Sequence, residues 1–285
     1  MNTLKTTILL AALTGLLMAV GGLFAGKTGV TFMLMVSLAM NFASYWFSDK
    51  IVLRMYNARE VTPQQAPDLI RMVSHLAQRA NMPMPRVYII DTDTPNAFAT
   101  GRNPENGVVA VTTGIMRALT FEELEGVVAH ELAHIKNRDT FISTVVASIA
   151  GVITWIAHIA QWSAIFGMGR SDDEESNGGI VGTLFMIILA PLAATLIQLG
   201  ISRSREYQAD ATGAAICGKP MALANALLKI ESFAKRQVMA EATPATSHMF
   251  IINPFAGAGS WLTSLFSTHP ATAQRVARLQ ELSKR

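Results

Sequence analysis

Charge and cysteine are both scarce in this chain of 285 residues. Only 15% of the residues are charged and one is a cysteine, Cys217, whereas 51% are hydrophobic and the mean hydropathy is +0.33. A single cysteine excludes an internal disulfide framework and a cysteine-based zinc ribbon. Soluble domains usually carry about a quarter charged residues, so the shortfall excludes a disordered protein and indicates segments that never meet water. The composition therefore predicts an integral membrane protein.

The small excess of positive charge does not indicate a nucleic-acid partner. The formal net charge is +3 and the isoelectric point is about 9.1. The basic residues flank apolar runs, which is the arrangement of topology determinants rather than of a nucleic-acid surface. We therefore expect a lipid bilayer, and no nucleic acid, among the partners.

Four apolar runs organise the chain. The first two, at 4–25 and 30–47, each approach the ~20 residues that a helix needs to cross ~30 Å of hydrocarbon, and they predict a transmembrane hairpin. Two further runs, at 141–168 and 180–201, are separated by a polar loop rich in acid and glycine. Polar residues such as His158 interrupt the third run. A second full hairpin and a partly embedded hairpin packed on the protein therefore both stay open.

The distribution of lysine and arginine predicts the orientation. Positive residues next to a membrane segment stay on the cytoplasmic side. They follow the second run, precede the third and follow the fourth, at Lys50, Arg54, Arg59, Lys136, Arg138, Arg203 and Arg205. We therefore expect both chain ends and residues 48–140 to face the cytoplasm.

Short helices and strands are predicted between the apolar runs. Thr62 and Pro63 form a helix start, and apolar residues then recur at helical spacing. Residues 86–90 and 107–113 are apolar runs typical of buried strands, and the segment 91–106 between them has the composition of a loop. This part of the chain is expected to be a small mixed α/β unit.

A capping box starts the helix that carries the main motif. Thr120 and Glu123 have the spacing of that box. The helix places His130 and His134 on one face, where both rings can offer a nitrogen to one tetrahedral zinc ion, with Glu131 beside it. The alternative is a solvated face with two ordinary histidines, but the neighbouring residues are apolar, and an unpaired glutamate there would be costly. The motif predicts one zinc ion per chain.

The third zinc ligand must come from elsewhere, because a catalytic zinc needs three protein ligands and one open position for water. A third histidine six residues after His134 is absent, since Thr140 stands there. Glu206 and Asp210, four residues apart on one helical face, are the candidates. Glu206 can bind the metal, while Asp210 accepts a hydrogen bond from the second nitrogen of a ligating histidine. A surface ion pair with nearby arginines is the competing interpretation.

These patterns predict a fold class and a division of the chain. We expect a mainly α integral membrane protein, with four apolar helices in two hairpins and a small cytoplasmic α/β zincin-like catalytic domain. Residues 1–48 would form the N-terminal transmembrane hairpin and 49–140 the cytoplasmic catalytic region. Residues 141–202 would form the second membrane hairpin, and 203–285 a cytoplasmic region with the third zinc ligand and C-terminal helices.

Taken together, the motifs resemble those of a known group of proteases. His130-Glu131-x-x-His134 follows a membrane hairpin, Glu206-x-x-x-Asp210 follows two more apolar runs, and the segments 95–101 and 267–270 complete the pattern. The chain resembles the gluzincin membrane proteases, a group that includes bacterial heat-shock proteases and CAAX prenyl-endopeptidases. The resemblance implies a multi-pass zinc endopeptidase of the bacterial inner membrane, with a cytoplasmic active site, that acts on misfolded, damaged or unassembled membrane proteins.

Two residues are expected to act in catalysis. Zinc lowers the pKa of its bound water and polarises a peptide carbonyl. Glu131 would take the proton of the water and pass it to the leaving amine. The resemblance suggests that His269 donates a hydrogen bond to the oxyanion, although a turn role before Pro270 is as good an interpretation.

The strand at 107–113 is predicted to be an edge to which an extended substrate adds. Its contact residues would be Val108, Val109, Ala110 and Val111. Asn96 could help to hold the substrate, or could simply cap its own loop. Main-chain pairing of this kind has little sequence selectivity, which suits unfolded clients.

Two other functions compete with proteolysis. A membrane-anchored adaptor would keep zinc for structure, but a structural site does not need Glu131 next to an open position. A transporter would need ionisable residues in the middle of several spans, and only His158 qualifies. The sequence predicts neither an oligomeric state nor a cleavage preference.

Overall fold

The computed structural model describes residues 2–140, 203–236, 250–252 and 270–284. The third and fourth apolar runs, His158 and His269 lie outside these residues. Numbered along the described residues, the helices are α1 (Asn2–Met55), α2 (Pro67–Arg79), α3 (Thr113–Ala118), α4 (Phe121–Lys136), α5 (Arg203–Cys217), α6 (Pro220–Arg236) and α7 (Thr272–Leu282). The strands are β1 (Arg59–Glu60), β2 (Arg86–Ile90), β3 (Ala97–Thr100) and β4 (Val108–Thr112).

Helix α1 is broken in the middle, and its two halves lie against each other. Gly26 has φ of 56° and ψ of −139°, a backbone conformation that glycine adopts more easily than other residues. Asn41 Nδ2 in the second half donates to Thr14 Oγ1 in the first at 3.1 Å. The reversal lies in the loop that the sequence places between the first two apolar runs. No helix among the described residues meets the length and hydropathy needed to cross a membrane.

The four strands form one sheet in the order β1-β2-β4-β3. Strand β4 runs parallel to β2 on one side and antiparallel to β3 on the other, with Ala97 opposite Val111 and Thr100 opposite Val108. The prediction that this strand is an edge is therefore wrong. The physical reason is β3, a four-residue strand inside a segment whose Asp, Asn, Pro and Gly content has the character of a loop.

The sheet separates two apolar layers. Val109 and Val111 face the helices α2 and α4, while Val108 and Ala110 pack with the end of α1 around Val52. All four β4 side chains are fully buried. An apolar run without alternation is what a strand covered on both faces requires.

Helix α4 is the centre of the helical layer. It packs against α5 and α6, and α7 packs against α6 and α5. Two glycines allow the backbones to approach closely: a Cβ on Gly213 would lie 2.9 Å from His130 Cα, and one on Gly126 would lie 2.7 Å from the backbone nitrogen of Leu223. The C-terminal helices expected within 203–285 are present as α5, α6 and α7, and α5 is held tightly against the motif helix.

The reversal of α1 can be tested by cross-linking. With Cys217→Ala as background, we expect Thr14→Cys/Asn41→Cys to form an intramolecular disulfide on mild oxidation, because these two side chains touch. The matched control is Thr14→Cys/Phe42→Cys, since the Phe42 side chain is 61% exposed and points away. A gel-shift assay measures the yield. Equal yields for the two pairs would contradict the observed packing.

Candidate metal centre

Helix α4 positions the histidines and glutamate of the motif in the interior. Its first turn is fixed by the predicted capping box, in which Glu123 N–H donates to Thr120 Oγ1 at 3.3 Å and Thr120 N–H to the Glu123 carboxylate at 2.8 Å. Two turns later, His130 is 1% exposed and Glu131 5% exposed. A buried carboxylate and a buried imidazole need partners, and both have them.

Three side chains converge as metal ligands would. His130 Nε2 and His134 Nε2 are 3.2 Å apart, and the Glu206 carboxylate lies 3.8 Å from the first and 3.6 Å from the second. Ligands at tetrahedral zinc distances are about 3.3 Å apart, because metal–nitrogen bonds measure about 2.0–2.1 Å. The predicted ligands His130, His134 and Glu206 are therefore brought together by α4 and α5.

Each histidine presents its second nitrogen to an aspartate. His130 Nδ1 lies 3.0 Å from Asp210 Oδ1, as the sequence predicts, and His134 Nδ1 lies 3.5 Å from Asp139 Oδ2. A proton on each Nδ1 leaves a lone pair on each Nε2. Two lone pairs facing each other at 3.2 Å repel unless a proton or a metal ion lies between them, and a metal ion that binds both nitrogens fits this arrangement.

A strained helix end brings Asp139 to His134. Asp139 N–H donates to His134 O at 2.9 Å and Arg138 N–H donates to Ile135 O at 3.1 Å, which is the hydrogen-bond pattern of a Schellman cap. Arg138 has φ of 59°, a value that glycine usually takes at this position. Sequence reasoning missed Asp139, although its place just beyond the motif helix was a usable signal.

Arg275 on α7 is a second residue that sequence reasoning missed. It is 1% exposed, and its guanidinium binds Asp210 through two bonds, Nε–Oδ2 at 2.8 Å and Nη2–Oδ1 at 2.6 Å. Nη1 donates to Ile251 O at 2.8 Å and lies 3.6 Å from Glu206 Oε2. The signal was that Arg275 falls on the buried stripe of its helix, with Thr272, Val276 and Leu279.

Carboxylates outnumber guanidinium groups at the site. The carboxylates of Glu131, Asp139, Glu206 and Asp210 face two guanidinium groups, those of Arg205 and Arg275. In the metal-free protein, protons on His134 and on part of the Glu131 population offset this excess, since their pKa values are about 9 and about 7. A divalent cation can replace those protons as the compensating charge.

The pKa values reflect burial and these charges. Burial and the neighbouring Glu206 raise the pKa of Glu131 to about 7, against the opposing effect of His134. Burial alone would lower the pKa of His134, but Asp139, Glu206 and Glu131 raise it to about 9. Burial would likewise raise the pKa of Asp210, yet Arg275 and His130 bring it down to about 2.

The remaining predicted site residues have different surroundings. Asn96 is 3% exposed and its Oδ1 accepts from Ile251 N–H at 3.3 Å, so its side chain ties two segments of the chain together. The peptide groups of the β4 residues Val108, Val109, Ala110 and Val111 lie between two neighbouring strands. His269 lies outside the described residues.

The family is shown by comparison with known proteins. Residues 63–283 match the profile described as Peptidase family M48. This region contains all three candidate metal ligands and Glu131. The chain belongs to peptidase family M48 and is a metalloprotease, which favours proteolysis over the adaptor.

Curated relatives match nearly the whole chain. A protein named "Protease HtpX homolog" from Thermodesulfovibrio yellowstonii is 55% identical over 285 residues, covering 100% of both chains. Proteins of the same name from Desulforapulum autotrophicum and Pyrococcus furiosus are each 53% identical over 279 residues, covering 98% of this chain and 89% and 95% of theirs.

A solved structure shares the fold. The crystal structure of S. mikatae Ste24p matches with a TM-score of 0.52 at 18% identity, covering 94% of this chain. The chain spans 62% of the length of that protein. This likeness shows the fold alone.

Metal binding should release a proton. With a pKa of about 9, the metal-free His134 is mostly protonated at pH 8, whereas a metal ligand must be neutral. We therefore expect His134 to release about one proton per divalent ion at pH 8, so that the total release falls by about one proton as the pH rises well above 9. Calorimetric titration in two buffers of different ionisation enthalpy measures this. Metal uptake at pH 8 without proton release would contradict the assignment of His134.

Proposed function

We propose that this M48 metalloprotease is a zinc endopeptidase of the bacterial inner membrane that cleaves misfolded or damaged membrane proteins on the cytoplasmic side. The observation that carries the proposal is the convergence of two imidazole nitrogens and one carboxylate, with a second carboxylate, Glu131, beside them. The donor set of two histidines and a glutamate is the one that catalytic zinc takes in many proteases.

His130, His134 and Glu206 would hold one zinc ion per chain and leave a fourth position free. When bound, zinc lowers the pKa of a water molecule and polarises the substrate carbonyl. Imidazole and carboxylate donors suit zinc among the common divalent metals, and the described residues bring no thiolate to the site.

Glu131 has the surroundings of a general base. It follows His130 directly, and its carboxylate accepts a hydrogen bond from the backbone N–H of Ala99. A pKa of about 7 lies close to the working pH, where a carboxylate both takes and returns a proton efficiently. Glu131 would remove a proton from the attacking water and deliver it to the nitrogen of the leaving amine.

The outer edge of β3 offers a place for an extended substrate. Thr112 N–H donates to Asn96 O at 3.0 Å, and hydrogen-bonded pairs alternate along an antiparallel ladder. The peptide groups of Ala97 and Ala99 therefore point away from β4, and that of Ala99 points toward Glu131. We transfer the substrate role predicted for Val108–Val111 to this strand, with Asn96 fixing its start.

Main-chain pairing at β3 supports action on unfolded segments, because it needs an extended backbone rather than a particular side chain. Folded proteins rarely present such a strand. This preference fits misfolded or unassembled clients. An oxyanion contact from His269 stays a prediction.

The surface of α1 supports a place in the bilayer. Large apolar side chains are more than half exposed along its second half, namely Phe32, Met35, Leu38 and Phe42. Near the end of that half, Lys50 lies over the Phe47 ring and Arg102 lies over the Trp46 ring at 4.5 Å. Aromatic and basic residues of this kind are enriched at membrane interfaces, and the basic ones face the cytoplasm. Both termini would lie on that side.

Glu131→Gln tests the proteolytic mechanism. We expect the rate at which an unfolded protein such as casein is cleaved to fall ~10²–10⁴-fold, because an amide cannot take the proton of the water. Zinc content should stay at one per chain, since the three ligands are untouched. Proteolysis and metal content are measured on the detergent-purified full chain.

The matched control is Glu122→Gln on the same helix, whose side chain is 69% exposed and pairs with Lys219. This variant should cleave at the rate of the unaltered chain. A Glu131→Gln protein that holds zinc and cleaves as fast as the control would rule out the proposed mechanism.

A further inference from the structure

We propose that Arg275 is a positioning residue of the metal centre, and that the docking of α7 through this guanidinium is a condition for tight metal binding. The inference rests on the proposed metal role of His130, His134 and Glu206. It adds a residue and a helix that lie far from the ligands in sequence.

All three guanidinium nitrogens of Arg275 donate hydrogen bonds. Two donors bind the two oxygens of Asp210 at 2.8 and 2.6 Å, and a third binds the carbonyl of Ile251 at 2.8 Å. A guanidinium that is 1% exposed needs such partners, and the fork matches a carboxylate in a way that a lysine ammonium cannot.

The guanidinium also lies between two carboxylates on one helix face. Nη2 is 2.6 Å from Asp210 and Nη1 is 3.6 Å from Glu206, one turn earlier on α5. Without a cation between them, two like charges at this spacing repel. Arg275 therefore holds the ligand Glu206 and the orienting Asp210 in a common direction toward α4.

Asp210 in turn fixes the orientation of His130. Its Oδ1, held by Arg275, is the atom 3.0 Å from His130 Nδ1. The ring of His130 is thereby fixed with Nε2 toward His134 and Glu206. Removing the hydrogen-bond partner of a metal-ligating histidine typically lowers the metal affinity by 10–100-fold.

Arg275 further connects the metal to the proposed substrate strand. It holds Ile251 through the carbonyl, and the N–H of Ile251 donates to Asn96 Oδ1 at the start of β3. One side chain of the last helix thus joins a ligand pair to the strand beside Glu131.

The same helix offers a control contact outside the site. Tyr207 OH donates to Gln274 Oε1 at 2.8 Å, and the Arg278 guanidinium lies 3.7 Å from the Tyr207 ring centroid. These bonds also join α7 to α5, but they touch neither a ligand nor an aspartate of the site. Removing these contacts therefore weakens the packing of α7 on α5 while leaving the hydrogen bonds between Arg275 and Asp210 in place.

The test compares Arg275→Met, Arg275→Lys and Gln274→Ala in the full chain. We expect the zinc affinity, measured by chelator competition, to fall 10–100-fold in Arg275→Met and to be only partly restored in Arg275→Lys, which keeps the charge but not the fork. Gln274→Ala should stay within about two-fold of the unaltered chain, as expected for a partner outside the site. The visible spectrum of the Co²⁺-loaded protein should change in the Arg275 variants only.

A double variant adds a measurement that general destabilisation does not mimic. Because Arg275 acts chiefly through Asp210, Asp210→Asn/Arg275→Met should lose less zinc affinity than the sum of the losses in the two single variants. Thermal unfolding of the metal-free proteins shows whether each variant is folded. If Arg275→Met does not fold, the comparison is made with Arg275→Lys. Unchanged zinc affinity and Co²⁺ spectrum in folded Arg275 variants would overturn this role. An unaltered chain that binds no zinc would instead overturn the metal centre itself.

Discussion

The excess of carboxylates around two imidazoles is the constraint on which the rest of the site depends. Four carboxylates and two guanidinium groups converge on His130 and His134 in a region that water hardly reaches. A metal ion offsets the remaining charge, and the two aspartates behind the histidines fix the lone pairs toward it. The tight packing of α5 on α4 at Gly213 and the Schellman cap at Arg138 both bring these carboxylates into place.

This arrangement also places a group suited to proton transfer beside the proposed metal ligands. Glu131 lies in the same field as the ligands, so burial and Glu206 move its pKa to about 7 and suit it to proton transfer. The N–H of Ala99 reaches it from β3, so the proposed general base and the proposed substrate strand are in direct contact. The α1 end packs under the other face of the sheet, which connects the proposed membrane anchor to that strand.

The sequence predicted what local spacing specifies. The capping box, the motif helix and the pair Glu206 and Asp210 all depend on helical periodicity, and the structure contains each of them. It did not predict β3, because a four-residue strand is defined by its partner β4 and not by its own composition. Asp139 and Arg275 were missed for a related reason: a helix cap and a distant helix bring them to the histidines, and the sequence signals that they do offer do not specify that contact.

X-ray absorption at the zinc edge of the purified, zinc-loaded chain identifies the atoms that bind the metal. We expect a first shell of two imidazole nitrogens at about 2.0–2.1 Å with oxygen at the remaining positions, and loss of one imidazole in His134→Ala. A shell with one imidazole or with sulfur, or a spectrum that His134→Ala leaves unchanged, would contradict the proposed metal centre.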